Sequence, residues 1–201
     1  MPILLCTLYT LKGIFMAVLS GKEWVAKFKG KNDISSLKAE FRLGVKSFIS
    51  ALEEAGAQVK INATLRPPER AYLMHWAWMI HHQRVSPEDV PAHSNVDIEW
   101  VHSDAKESVK AASEMVSAYG MQNLKVAPAL NSRHTEGRAI DMNISWAGVL
   151  TVADKDKKKV TIKTSPKDGM NKELHQVGKT YGVIKYHGGA KDKPHWSDDG
   201  R

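Results

Sequence analysis

Only one cysteine, Cys6, occurs among 201 residues, so no disulfide can form within the chain. Nor can it build a zinc site of the structural kind closed by several cysteines. Long apolar runs are missing as well. Residues 1–20 are mostly apolar, but Lys12-Gly13 interrupts them short of the ~20 residues that a membrane span needs. Nothing basic precedes that stretch, so a secretory signal is not expected. The segment 1–22 reads as an apolar arm that packs as an N-terminal helix or lies ahead of a start at Met16. The sequence contains no internal repeat, low-complexity run, recognisable wall-binding module or His-Glu-x-x-His motif, and no helix-turn-helix or zinc-finger spacing.

What is present suits one globular domain over residues 23–201. Hydrophobic residues make up 42% and charged residues 25%, enough for a core without disulfides. Lysines crowd 22–31, with a turn expected at Gly30-Lys31-Asn32-Asp33. Leu37, Phe41, Val45, Phe48, Ile49 and Leu52 recur at helical spacing and predict a helix over 36–55 with Gly56 as its C-terminal cap. Residues 58–63 alternate like a strand. Pro67-Pro68 then opens a second helix whose buried stripe is Leu73, Trp76, Ala77 and Ile80. His75, His81 and His82 on it read as solvated helix histidines. Residues 85–102 read as a loop that ends at Trp100 and His102, with Trp100 a core residue more readily than a groove wall. A third helix is expected over 103–119, a hairpin over 149–152 and 160–163, a short helix over 169–180 and a last strand over 181–186. The expected fold class is α+β, a small antiparallel sheet flanked by several helices.

The chemistry concentrates in Ser132-Arg133-His134-Thr135-Glu136-Gly137-Arg138-Ala139-Ile140-Asp141 and in Asp192-Lys193-Pro194-His195-Trp196. Each residue taken singly is an ordinary loop, turn or tail residue. Together, two imidazoles and a carboxylate (His134, His195 and Asp141) are the ligands that borderline-soft Zn²⁺ takes in a catalytic site with one position left open. His134 and Asp141 flank Gly137-Arg138 symmetrically, which predicts a hairpin-like reversal that brings them face to face. Pro194 keeps the backbone before His195 extended. Asp192, three residues from His195, is the first choice for a general base acting on a metal-bound water. Asp198 and Asp199 stand in reserve for it, and His187 stands in reserve as a ligand or substrate contact.

The pattern Ser-x-His-x-x-Gly-x-Ala-x-Asp followed by Asp-x-x-His-Trp resembles the D-alanyl-D-alanine carboxypeptidase family of zinc peptidases. That family includes the vancomycin-resistance enzymes and the phage L-alanyl-D-glutamate endopeptidases. The resemblance implies one zinc ion on His134, Asp141 and His195, with Asp192 as catalytic base. Aspartate rather than glutamate at the base position favours the phage endopeptidases. Arg66, within Leu65-Arg66-Pro67-Pro68-Glu69, is similar to the family's arginine that holds the substrate carbonyl and steadies the oxyanion, a task suited to a planar, always-charged donor. Ser132, Trp196 and His187 are the expected substrate contacts. The long interval between Arg66 and His134 departs from the family's pattern and bears on substrate choice.

The expected function is therefore a zinc-dependent peptidoglycan peptidase of endolysin type. A D-alanyl-D-alanine carboxypeptidase and a non-catalytic, zinc-containing wall-binding module are the alternatives. A formal charge of +7 and a pI near 9.4 favour polyanions. With the zinc motif beside them they point to stem peptides and anionic envelope polymers rather than nucleic acid. The protein is expected to be a monomer that acts at the bacterial cell wall, cytoplasmic until released.

Overall fold

The computed structural model describes residues 18–201; the expectations for the apolar stretch up to residue 17 lie outside the described residues. In chain order the elements are β1 (Val18–Leu19), α1 (Ala39–Glu54), β2 (Gln58–Ala63), α2 (Pro68–His81), β3 (Ile98–Glu99), α3 (Ala105–Ala118) and β4 (Ala139–Ser145). They continue with β5 (Leu150–Ala153), β6 (Lys159–Ile162), α4 (Lys172–Thr180), β7 (Ile184–Lys185) and β8 (His195–Ser197). The architecture is α+β, as expected, with four α-helices among the described residues and small, mainly antiparallel sheets. Among the described residues no helix is long and apolar enough to cross a membrane.

The main sheet runs β2-β4-β8-β7, antiparallel throughout. β4 sits inside it because Ile140, Met142 and Ile144 alternate with Asp141, Asn143 and Ser145. The three apolar residues are at most 3% exposed, and their partners face the other way. The apolar face lies against α1, whose stripe of Phe41, Val45, Phe48 and Leu52 is buried, and against Leu174 and Val177 of α4. α1 ends where Gly56 takes φ +87°, a left-handed conformation that a side chain resists. The β5–β6 hairpin forms where its alternation predicts it and adds Leu150, Val152 and Ile162 to this core.

A second core joins α2 to α3. Leu73, Ala77 and Ile80 of α2 meet Ala112, Met115 and Val116 of α3, and Trp24 and Trp100 close its ends. Trp100 is 4% exposed and its indole N–H donates to the Tyr72 hydroxyl at 3.2 Å, so it is a core residue. The histidines of α2 are tied down rather than solvated. His81 shares a hydrogen bond with Ser113 of α3 at 2.7 Å, His82 stacks on Trp78, and His75 reaches the Pro128 carbonyl at 2.8 Å.

The structure corrects two expected elements. Residues 133–137 form a helical turn, not one arm of a hairpin: Glu136 N–H and Arg138 N–H donate back to Ser132 and Arg133. β4 takes its neighbours from β2 and β8 instead, because both offer an apolar face in phase with its own. The strand expected over 181–186 shrinks to Ile184–Lys185, and it is followed by a further one, β8, where no strand was expected.

Trp196 is the joint between sheet and helices. It is completely buried, with its ring 5.6 Å from that of Phe48 and 5.5 Å from that of His175. Trp196→Ala, measured by denaturant unfolding of the metal-free protein, is expected to cost about 3–5 kcal/mol, as emptying a large aromatic site does.

Candidate metal centre

The turn 132–137 presents His134 because Ser132 and Thr135 close it. Ser132 N–H donates to the Thr135 hydroxyl at 2.9 Å, and that hydroxyl donates to the Ser132 carbonyl at 2.7 Å. Gly137, at φ +68°, then turns the chain into β4, and its carbonyl accepts from Lys38 N–H. In β4 the two-residue period sends Ile140 and Met142 to the core and Asp141 to the opposite face. Asp141 is paired in register with His195 of β8. The same alternation sends His195 to the Asp141 face and Trp196 inward.

Three ligand atoms converge there. His134 Nε2 lies 3.1 Å from Asp141 Oδ1 and 3.2 Å from His195 Nδ1, and His195 Nδ1 lies 3.2 Å from Asp141 Oδ1. Among the described residues this is the one group of His, Cys, Asp and Glu side chains arranged to hold a metal ion. The far side of each ring is already committed. His134 Nδ1 donates to the Thr64 carbonyl at 2.6 Å, and His195 Nε2 donates to the Arg201 main-chain oxygen at 2.9 Å. Carbonyl oxygens only accept, so each outer nitrogen carries its ring's proton and each inner nitrogen of a neutral ring offers a lone pair. Two lone pairs and a carboxylate oxygen facing one another repel unless a cation lies between them.

The triangle's size suits a metal. Ligands about 2.0–2.1 Å from a tetrahedral zinc sit roughly 3.3 Å apart, close to the observed sides. Burial alone works to raise the Asp141 carboxyl, but without a metal a proton on the inner nitrogen of His134 or His195 donates to it and outweighs burial, which holds it well below the usual carboxylate range. Burial works to lower His195, yet its contacts with Asp141 and the Arg201 oxygen and the charges of Asp141 and Asp192 leave it raised.

Asp192 stands at the rim with its side chain 49% exposed and its Oδ2 3.9 Å from His195 Nδ1. Burial, and then the charge of Asp141, push its carboxyl above the usual range; a cation between the two reverses the second effect. Arg66 follows β2, and its N–H donates to the His134 carbonyl at 3.1 Å. Among the described residues its guanidinium, half-buried, has no carboxylate within 4 Å. Burial lowers its pKa, and the charges of Asp141 and Asp192 oppose this.

Both residues line a cleft of about 700 Å³ together with His134, His195, Ser132 and Tyr186. Its far wall is the apolar segment Leu124, Val126, Ala127, Pro128 and Ala129, where Val126 is 73% exposed. The His75 bond to Pro128 fastens that wall to α2.

Of the expected substrate contacts, Ser132 lines the cleft but Trp196 and His187 do not. Trp196 is a core residue, inward-facing because its neighbour His195 faces the cleft. His187 is exposed on another surface, where its N–H donates to the Gly200 carbonyl at 2.8 Å. The reserve bases are also occupied: Asp198 is paired with Arg133 and Arg138, and Asp199 with Arg133 and Arg201.

One site residue escaped the sequence reading. Lys185 is 5% exposed, and its ammonium donates to the carbonyls of Asp192 at 3.3 Å, Lys193 at 2.6 Å and His195 at 2.8 Å. It pins the segment that carries the third ligand and the candidate base. Burial pushes it down to about 8. Its signal was available: it falls two residues after the buried Val183, on the inward phase of a strand.

No known family model and no curated protein matches this chain.

Two outcomes are expected. A protonated imidazole cannot ligate, so zinc affinity measured by chelator competition should fall by about tenfold per pH unit below the raised value of His195. Lys185→Met leaves the Asp192 and Lys193 carbonyls unpaired and takes one of two donors, the other being Tyr186 N–H, from that of His195. It should lower unfolding stability by about 1–3 kcal/mol and weaken zinc binding, both readable in a titration followed by thermal melts.

Proposed function

We propose that the protein is a zinc-dependent peptidoglycan peptidase of the phage L-alanyl-D-glutamate endopeptidase kind. The observation that carries this reading is the triangle of three ligand atoms at one end of a cleft that also holds an exposed carboxylate and an unpaired guanidinium. Three protein ligands leave a fourth position for water or substrate, as in catalytic rather than structural zinc sites. Zinc held by them would supply Lewis acidity toward a scissile carbonyl and would lower the pKa of a water to near neutral.

The chain's own groups do the rest. Asp192 accepts the proton of the attacking water and afterwards delivers it to the leaving amine. Arg66 donates to the carbonyl oxygen as negative charge gathers on it, inside a half-buried cleft where such a bond is stronger than in water. Thr64 and the Arg201 main-chain oxygen hold the two imidazoles in the tautomers that ligation needs. The apolar wall of residues 124–129 suits the small alkyl side chains of wall peptides.

Asp192→Asn keeps shape and zinc but loses the base. Release of peptides from purified peptidoglycan, followed by mass spectrometry, is expected to drop by a factor on the order of hundreds or more, with metal content near one per chain. A fully active variant refutes the assignment. A wild-type protein that binds zinc and releases nothing is a wall-binding module instead, and the masses of released fragments identify the bond cut.

A further inference from the structure

The helix α4 has two unlike faces. Leu174 and Val177 are buried in the core, while Lys172, His175, Gln176 and Lys179 share the opposite side along two turns of helix and line a hollow of about 570 Å³. Its other wall is the segment from Ile184 to Gly189. The hollow lies on the surface that carries His187, and it has one lining residue, Tyr186, in common with the metal cleft.

Its rings are seated on glycines. A side chain at Gly188 would come within 2.3 Å of the Tyr186 ring, and one at Gly200 within 2.4 Å of the His187 imidazole, so both rings lie directly against main chain. His175 is fixed from two sides: its Nε2 donates to the Gly169 carbonyl at 3.0 Å, and its ring meets that of Trp196 edge-on at 5.5 Å. Lys185 adds a buried ammonium to the lining. The acids nearby are engaged elsewhere. Asp199, the one acid in the lining, is paired with Arg133 and Arg201. Asp168 accepts from the Met170 N–H at 2.8 Å, and Glu173 accepts from the Thr164 hydroxyl at 2.6 Å. Among the described residues Lys172, Lys179 and Lys185 have no carboxylate within 4 Å, so the hollow keeps a positive surplus.

We propose that this hollow is a binding site, separate from the metal cleft, for the phosphates of a polyol-phosphate polymer of the bacterial envelope. Lys172 and Lys179 stand about 10 Å apart along the helix axis, with His175 and Gln176 between them, a spacing that suits a chain of repeated charges rather than one small anion. No arginine fork lines the hollow to select a planar carboxylate; ammonium groups act as point charges and meet the spread oxygens of a phosphodiester. Nucleic acid is disfavoured because single strands stack successive bases on several aromatic side chains, and Tyr186 is the one large aromatic ring in the lining. The choice of an envelope polymer rests on the peptidase reading; the phosphate site itself rests on the hollow.

The test is calorimetry on the zinc-loaded full chain with three probes of equal charge: a glycerol-phosphate oligomer, an oligoglutamate and a single-stranded oligonucleotide. The wild type is expected to bind the glycerol-phosphate oligomer at least about tenfold more tightly than the other two, with the affinity falling as salt rises. Lys172→Gln/Lys179→Gln should weaken it by about tenfold or more. Gln176→Trp, which fills the hollow and leaves the charge unchanged, should do the same. Lys46→Gln/Lys106→Gln, on exposed positions of α1 and α3, removes equal charge elsewhere and should leave binding as it is. Thermal melts check that each variant folds. Equal binding of the oligoglutamate overturns the site as a phosphate site, and equal or tighter binding of the oligonucleotide overturns the envelope polymer. Undiminished binding by both hollow variants, or no binding by the wild type, overturns the proposal outright. Peptide release does not enter these comparisons, so a protein that cleaves nothing yet binds as expected loses the peptidase reading and keeps the phosphate site.

Discussion

Two imidazole lone pairs and a carboxylate oxygen are held within 3.2 Å of one another, and that arrangement is electrostatically unfavourable until a cation occupies it. The scaffold enforces it from three directions. Antiparallel pairing of β4 with β8 sets Asp141 opposite His195, a hydrogen-bonded turn presents His134, and main-chain oxygens fix both tautomers. The core on the other face of the sheet keeps that register. A slip of one residue between β4 and β8 would put Ile140 into the cleft and Asp141 into the apolar cluster.

The surroundings divide the labour. Lys185, buried beneath the 192–195 segment, donates one ammonium to three carbonyls, two of which, those of Asp192 and Lys193, lie before β8 begins. This lets an irregular segment carry both a ligand and a carboxylate at a set distance from each other. The ion pairs among Arg133, Arg138, Asp198, Asp199 and Arg201 bind the end of β8 to the 132–138 turn. They hold Asp198 and Asp199 in pairs, and with Glu136 of the cleft lining also paired to Arg133, Asp192 is the lining carboxylate without an arginine or lysine partner among the described residues. The positive charge of the sequence is thus unevenly distributed: Arg133, Arg138 and Arg201 are in ion pairs, and among the described residues Arg66 has no carboxylate within 4 Å.

The helices and the β5–β6 hairpin were legible because each obeys a local period. Apolar residues at i, i+4 and i+7 in α1 and strict alternation in β4 state which face is buried, whatever the partner. The site residues His134, Asp141, His195, Asp192 and Arg66 were legible as a set through motif spacing. The hairpin expected between His134 and Asp141 was wrong because symmetry about a glycine describes a possible reversal but not its competitors. A helical turn closed by Ser132 and Thr135 satisfied the same backbone groups locally, and β2 and β8 offered β4 better partners. Trp196 faces away from the cleft because adjacent residues of a strand point to opposite faces, and His187, which follows β7 and is not on the ligand's strand, falls on another surface.

By itself the sequence determined the α+β composition, the amphipathic faces and the candidate set of five side chains, since these follow from residue type, short-range periodicity and motif spacing. Only the tertiary structure decided that three of them meet at one point, that main-chain oxygens of Thr64 and Arg201 orient two of them, and that Lys185 supports the segment between. Main-chain acceptors have no residue signature, and contacts between positions 60 or 70 apart depend on how strands choose partners, a global competition that no local pattern encodes.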